Sequence, residues 1–151
     1  MILNNLRREE MEKSRVEIAV EKFKNGYNCS QAVVCTYCDL LGVDEATAFA
    51  LAEGFGSGIA RTNETCGSVC GMIMLAGLFN SDKNLQNPKT KIQTLKLGNE
   101  LMEKFREMNT TVKCKELKNL GNEAPPIRSC SGCVKDSAII VEKYLLKDMF
   151  E

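Results

Sequence analysis

Residues 28–42 have the sequence NCSQAVVCTYCDLLG, which is typical of a complete α-helix with its end signals. Asn28 is a favoured N-cap residue, the apolar run after it can be buried, and Gly42 is a common residue just after a helix. We therefore predict a helix over Cys29–Leu41. Asp44 repeats the cap signal for the next helix, from Glu45 to about Glu53.

The same combination of cap and helical periodicity recurs on both sides of this segment. Upstream, apolar residues at helical spacing predict a helix over Leu6–Lys24. Downstream, a helix capped by Thr62 or Thr65 is predicted to end near Phe79, and a long helix with Pro88 in its first turn is predicted to end at Met108. A short helix over Cys114–Leu120 and a last helix capped by Ser129 follow. No alternating strand pattern competes, so residues 1–151 predict an all-α single-domain helical bundle of about five to seven helices.

The charge and hydropathy of the chain exclude several classes of partner. Twenty basic residues balance twenty acidic ones, which argues against binding to nucleic acid or to an anionic membrane. The N-terminal residues MILNNLRREE contain no apolar segment of the kind that a secretory signal has, and no long apolar run occurs elsewhere. We therefore expect a cytoplasmic protein with neither a nucleic-acid nor a membrane partner.

Cysteine is the residue type that composition singles out. The chain has eight cysteines and no histidine, so catalytic pairs with histidine and histidine-bound metals are excluded. In a reducing compartment, clustered cysteines are more often redox groups, metal ligands or small buried residues than a disulfide framework.

Four cysteines fall in the first turns of predicted helices: Cys29, Cys66, Cys114 and Cys130. A helix N-terminus has free amides and a partial positive charge, which stabilise a thiolate and lower the pKa of a cysteine. We expect these four to be reactive or metal-binding and to converge on a shared pocket. The alternative is that they are incidental small residues in first turns.

The other cysteines have weaker signals. Cys133 forms a CxxC motif with Cys130, and it is a candidate resolving thiol. Val134 stands where a c-type haem attachment site requires histidine, so no c-type haem is expected. Cys35 and Cys38 form a second CxxC inside a helix, where core packing is favoured, and Cys70 shares a helix face with Cys66.

The run of glycines at 54–58 is preceded by no strand, so it does not predict a dinucleotide site. We expect instead that Gly56, Gly58 and Gly67 let the backbone approach the cysteine pocket and contact any cofactor there. Arg61 either lies near the thiolates and lowers their pKa or pairs with a surface acid.

Five stretches of the chain together resemble the redox-active C_GCAxxG_C_C family. They are NCSQA at 28–32, GFGSGIAR at 54–61, ETCGSVCG at 64–71, CKEL at 114–117, and Cys130 with Val134. The resemblance extends from about residue 14 to residue 146. It implies a redox role and four signature cysteines, here Cys29, Cys66, Cys114 and Cys130. The alanine that usually follows the Cys-Gly pair is Ser68 in this chain.

Three functions remain open at this point. The first is a thiol oxidoreductase that exchanges disulfides with a redox partner. The second is an electron carrier whose four thiolates hold an iron–sulfur cluster. The third is a protein without turnover, either with zinc in a structural Cys₄ site or as an inert helical interaction protein. The spacing of the four cysteines matches neither common ferredoxins nor zinc ribbons, and we favour a redox function.

Overall fold

Helices make up most of the part of the chain that the computed structural model describes, residues 11–151. The α-helices in that range are α1 (Val16–Lys24), α2 (Cys29–Tyr37), α3 (Glu45–Ala52), α4 (Gly67–Asn80), α5 (Lys91–Asn109), α6 (Cys114–Leu117) and α7 (Cys130–Ile140). The β-structure of residues 11–151 consists of two isolated bridges, Glu12 with Phe150 and Thr65 with Lys113. The predicted all-α fold is confirmed.

Helices α2 and α4 pack against each other at the centre of the fold. All residues of α2 after Cys29 are buried, and one side of α4 closes over them. Gly71 allows this close approach, because a Cβ at that position would lie 2.7 Å from the Ser30 carbonyl oxygen. Among the described residues, no helix has both the length and the apolar character needed to cross a membrane.

Three predicted helix caps are confirmed. Asn28 accepts from the Gln31 amide and forms a capping box with it, and Asp44 accepts from the Thr47 amide. The Ser129 hydroxyl accepts from the Gly132 amide at the start of α7. These caps fix the N-terminal ends of α2, α3 and α7, and two of these ends carry candidate cysteines.

Several predicted boundaries are wrong. Helix α1 begins at Val16, because residues 12–15 are held by contacts elsewhere: Glu12 bridges to Phe150, and Arg15 bonds Asp39. Residues 6–10 of that predicted helix lie outside the described part of the chain. Helix α5 begins at Lys91, which leaves Pro88 in the preceding loop. Two helices are shorter than predicted. The α-helical part of α2 ends at Tyr37 and continues as a 3₁₀ turn over Cys38–Leu41, and α6 ends at Leu117.

The start of α4 also differs from the prediction. Neither Thr62 nor Thr65 caps it. The Thr62 hydroxyl donates to carbonyls in the loop before the helix, and Thr65 is engaged in the bridge with Lys113. Cys66 therefore occupies the N-cap position of α4.

Candidate functional site

Five cysteines line one cavity, which we call the cysteine cavity; its volume is about 150 Å³. They are Cys29, Cys66, Cys114, Cys130 and Cys133, the same five that the sequence singled out. Its other lining residues are Phe23, Asn28, Ser57, Gly67, Leu117, Lys118 and Arg128. Cys66, Cys114 and Cys133 are buried, whereas Cys29 and Cys130 are half-buried. The structure thus brings the starts of α2, α4, α6 and α7 together around thiols.

The bridge between Thr65 and Lys113 fixes the backbone on one side of the cysteine cavity. The amides of Cys66 and Cys114 each donate across the bridge to a carbonyl of the opposite segment, at 2.8 and 2.6 Å. Side chains alternate between the two faces of such a pair, so Cys66 and Cys114 project from the same face. In such a pair, the Cα atoms of diagonal neighbours lie about 7–8 Å apart. A short piece of β-structure therefore positions two cysteines in an otherwise helical protein.

The Cys66 thiol is held in a setting that favours its ionised form. The Cys133 thiol lines the same cavity as the Cys66 sulfur, and the Ser68 hydroxyl lies 3.1 Å from that sulfur. The amides of Ser68 and Val69, at the start of α4, donate to the same sulfur. These donors, Cys133 first, outweigh the effect of burial and lower the pKa of Cys66 to about 6. At pH 7 Cys66 is therefore mainly a thiolate.

A second buried hydroxyl orients Ser68. The Ser137 hydroxyl of α7 donates to the Ser68 oxygen at 3.1 Å, and both side chains are fully buried. Because Ser137 supplies the hydrogen in that bond, Ser68 keeps its own hydroxyl hydrogen for the Cys66 sulfur. The two serines form a chain of donors that ends on the thiolate.

The neighbouring thiols are held in their neutral form. The hydrogen bond to Cys66, together with burial, raises the pKa of Cys133 well above its ordinary value. Burial is the largest cause that raises the pKa of Cys29 and the pKa of Cys114. The cysteine cavity therefore combines one thiolate with protonated thiols close to it.

A left-handed turn over residues 57–61 delivers a backbone amide to Cys29. Ser57, Gly58, Ile59, Ala60 and Arg61 all have φ between 52° and 68°. This conformation destabilises each non-glycine residue by roughly 1–2 kcal/mol. The Ser57 amide donates to the Cys29 sulfur, which favours the thiolate there. Of the three glycines at 54–58, only Gly58 adopts positive φ, so most of this left-handed turn is formed by residues other than glycine.

Three glycines allow the backbone to approach the cysteines. A Cβ on Gly67 would lie 2.4 Å from the Cys29 sulfur, and a Cβ on Gly58 would lie 2.7 Å from the Cβ of Cys114. Gly56 packs in the same way against the cap residue of α2. The structure shows the close approach that we expected of these glycines, and their contact with a cofactor stays a prediction.

Two basic residues that sequence reasoning missed line the cysteine cavity: Lys118 and Arg128. Burial disfavours the charge of Lys118, but interactions with the Cys130 and Cys114 sulfurs outweigh burial, so the pKa of Lys118 is raised. Lys118 follows Cys114 by four residues, the spacing of neighbours on a helix face, and this signal could have revealed it. Arg128 binds both carboxylate oxygens of Asp136, at 3.0 Å each.

Arg61 lies elsewhere. Its side chain is exposed on the left-handed turn, and it is not among the residues that line the cysteine cavity. The structure therefore does not bring Arg61 to the thiols, and Lys118 occupies the position beside them that we considered for Arg61.

The geometry of the cysteines also bears on metal binding. A Cys₄ site needs four sulfurs at about 2.3 Å from a common centre. Within residues 11–151, no three Cys, Asp or Glu side chains are arranged so that they could hold one metal ion. As they stand, Cys29, Cys66, Cys114 and Cys130 surround the cavity but share no such centre.

A family model covers most of the chain. It is described as "Putative redox-active protein (C_GCAxxG_C_C)" and matches residues 27–144. The chain belongs to the C_GCAxxG_C_C family. No curated protein and no solved structure matches the chain. All five cysteines of the cavity lie within the matched residues, and membership supports a redox-active role in general terms.

The part of the chain that matches the C_GCAxxG_C_C family also contains three cysteines outside the cavity. Cys35 and Cys38 are buried in the core, where the sequence predicted them, and burial raises the pKa of Cys35 to about 12. Cys70 is half-buried one turn after Cys66, and burial raises its pKa to about 11. These thiols are protonated at neutral pH and stand apart from the thiolate chemistry of the cavity.

Proposed function

We propose that the protein carries out thiol–disulfide exchange, with Cys66 as the attacking thiolate and Cys133 as the second thiol. The observation that supports this is that both sulfurs line the cysteine cavity, where Cys133 is the largest cause of the lowered pKa of Cys66. Exchange requires an ionised sulfur next to a second sulfur that can take over the new bond. Cys66 and Cys133 meet both requirements.

The reaction proceeds in two displacements. The Cys66 thiolate attacks one sulfur of a disulfide, RS–SR; a mixed disulfide forms, and the other half leaves as RS⁻. The proton of Cys133 passes to this leaving thiolate. The Cys133 thiolate then attacks the Cys66 sulfur, so that a Cys66–Cys133 disulfide forms and the second RS⁻ leaves. The protein dithiol is oxidised by two electrons, and the substrate disulfide is reduced by two.

The contacts around Cys66 also bear on the reverse direction. Ser68, the amides of α4 and Cys133 all stabilise the reduced thiolate. A stabilised reduced form makes the corresponding disulfide more oxidising and easier to reduce. We therefore expect a Cys66–Cys133 disulfide to be labile, and a thiol reductant in the cytoplasm to return it to the dithiol.

Cys130 gives this disulfide a route to the outside. It is half-buried and forms the CxxC motif with Cys133. Attack of the Cys130 thiolate on the Cys133 sulfur would form Cys130–Cys133 and release the Cys66 thiolate. Cys29 and Cys114 line the same cavity with raised pKa values, so we assign them a supporting role in which they shield the reacting pair.

The metal-based alternatives receive less support. An iron–sulfur cluster or a structural zinc ion needs sulfurs that converge on one centre, and the described residues offer no group of three ligands arranged in that way. Thiol exchange needs only two sulfurs in the same cavity, and Cys66 and Cys133 provide them.

The test begins with anaerobic purification, metal analysis and visible spectroscopy of the full chain. The reduced protein is then treated with hydroxyethyl disulfide and mapped by mass spectrometry. We expect metal-free protein and, at early times before Cys130 reacts, a new Cys66–Cys133 linkage, absent in Cys66→Ser and retained in Cys35→Ser. Bound iron with visible absorption, or one zinc per chain, would contradict the proposal. So would equal behaviour of the two variants.

A further inference from the structure

The cysteine cavity contains a positive charge without a carboxylate beside it. Of the carboxylates in residues 11–151, none lines this cavity, whereas Lys118 and Arg128 both do. The charge of Arg128 is neutralised by its paired bonds to Asp136. The half-buried Lys118 is therefore the cation that faces the cavity.

The groups next to Lys118 are sulfurs. Lys118 lines the cavity together with Cys130, Cys114 and Cys29. Burial keeps Cys29 and Cys114 protonated at neutral pH, so the anion of the cavity is the Cys66 thiolate, which is already stabilised by its own donors. A partly desolvated ammonium in such surroundings attracts an anion more strongly than an exposed one does.

The volume of the cavity limits what can enter. A cavity of about 150 Å³ can hold a molecule of about the size of benzene. This is enough for one half of a small disulfide: a sulfur, a carbon or two, and a small charged group. A folded protein partner could insert only the end of a side chain.

Resting on the exchange reaction proposed above, we infer that the cysteine cavity selects small anionic disulfides, and that Lys118 holds a carboxylate of the substrate next to the sulfur that Cys66 attacks. Lys118 is then a specificity-determining residue. The protein as a whole has no net charge, so a preference for anions would come from the cavity and not from the overall field of the molecule.

The experiment compares three small disulfides of similar length: dithiodiglycolate, a dianion; hydroxyethyl disulfide, which is neutral; and cystamine, a dication. The rate of oxidation of the reduced full chain is measured with each by intact mass, and each rate is divided by that of free mercaptoethanol with the same disulfide. We expect the corrected rate to be highest for the dianion, by about tenfold over the neutral compound, and lowest for the dication.

Variants in and just after the short helix α6 provide the control. In Lys118→Gln, the corrected rates for the dianion and the neutral compound should agree within about twofold. Lys118→Arg should keep most of the difference between these rates. Lys115→Gln removes an exposed charge three residues away, outside the cavity, and should leave the preference unchanged. Because the wild-type comparison needs no variant, a misfolded substitution would not prevent the test.

The outcomes separate this inference from the proposed function. Equal corrected rates for the three compounds, with the Cys66–Cys133 linkage formed in each case, would overturn the charge selection and leave the exchange reaction intact. If Lys118→Gln and Lys115→Gln lost the preference for the dianion equally, the preference would come from general surface charge, and the role of Lys118 would be overturned. Failure of all three compounds to form the linkage would overturn both.

Discussion

The two CxxC motifs of this chain have the same spacing and opposite environments. Cys35 and Cys38 lie at the C-terminal end of α2 and in the turn after it, whereas Cys130 and Cys133 lie in the first turn of α7. The first pair is fully packed into the core, and the second pair faces the cysteine cavity. Position on the helix, and not the motif, decides which pair is available for chemistry.

The physical cause is what surrounds each sulfur. The Cys35 sulfur donates to the Glu45 carbonyl and the Cys38 sulfur donates to the Cys35 carbonyl, both at 3.8 Å, so both thiols act as hydrogen-bond donors. A carbonyl acceptor and the negative end of a helix stabilise the protonated thiol. Cys133 also stays protonated, but the group that most raises its pKa is another sulfur, that of Cys66, which becomes the thiolate.

The largest contrast is expected when the second cysteine of each motif is replaced. Cys133→Ser removes the thiol that resolves the mixed disulfide on Cys66, so this adduct should persist at least about 100-fold longer. Cys38→Ser alters a core thiol remote from the cavity and should leave the adduct short-lived. The lifetime is measured by quenching with acid and intact mass after one equivalent of hydroxyethyl disulfide. Equal lifetimes would place the resolving thiol elsewhere.

A second contrast concerns the two ends of α4. Gly67→Ala would place a Cβ 2.4 Å from the Cys29 sulfur and 2.7 Å from the Phe55 carbonyl oxygen, so a loss of about 3 kcal/mol in the free energy of unfolding is expected. A Cβ on Gly77, near the other end, would meet no atom within 4 Å. Gly77→Ala should therefore stabilise the helix by about 0.5–1 kcal/mol.

Urea denaturation of the reduced proteins measures both changes. If Gly67→Ala were as stable as Gly77→Ala, the close packing of α4 against α2 at the cavity would not be a constraint. The comparison uses one residue type, one helix and one substitution.

Sequence reasoning succeeded where structure depends on neighbours along the chain. The caps Asn28, Asp44 and Ser129 bond amides three residues ahead, so their effect is visible in a short stretch of sequence. Helix starts identified in this way placed Cys29 and Cys130, and Cys114 opens a helix as predicted. The concentration of candidate thiols at helix N-termini followed from these local signals.

Contacts between distant segments could not be predicted in the same way. The pairing of Cys66 with Cys133 depends on α4 meeting α7, and Thr65 failed as a cap because it bridges to Lys113 instead. The strained turn over 57–61 forms because hydrogen bonds such as Glu64 N–H to the Gly58 carbonyl hold it. Such bonds offset the cost of positive φ at these residues, and this cost cannot be weighed against the bonds from sequence alone.

A pH profile of alkylation sharpens the contrast between the two thiol environments. The pKa of Cys66 is lowered to about 6, so its thiolate is present above that pH and is lost as the pH falls through it. The rate of Cys66 alkylation by iodoacetamide should rise about tenfold from pH 5 to pH 7 and then level off. Cys35, with a pKa raised to about 12, should stay unmodified throughout. A rise of about 100-fold without a plateau would indicate an ordinary thiol at Cys66.

The smallest expected effects come from the hydroxyls behind the thiolate. Ser68→Ala removes a donor 3.1 Å from the Cys66 sulfur, and we expect the pKa of Cys66 to rise by about one unit. Ser137→Ala leaves Ser68 in place but frees its hydroxyl to rotate, so a rise of about half a unit is expected. Ser30→Ala is the matched control, because within residues 11–151 the buried Ser30 hydroxyl has no partner.

The pKa of Cys66 in each variant is followed through thiolate absorbance in the ultraviolet as the pH is varied. A shift in Ser30→Ala as large as that in Ser137→Ala would mean that buried hydroxyls act through packing alone. A shift confined to Ser68→Ala and Ser137→Ala would show that the chain of donors from α7 sets the charge on Cys66.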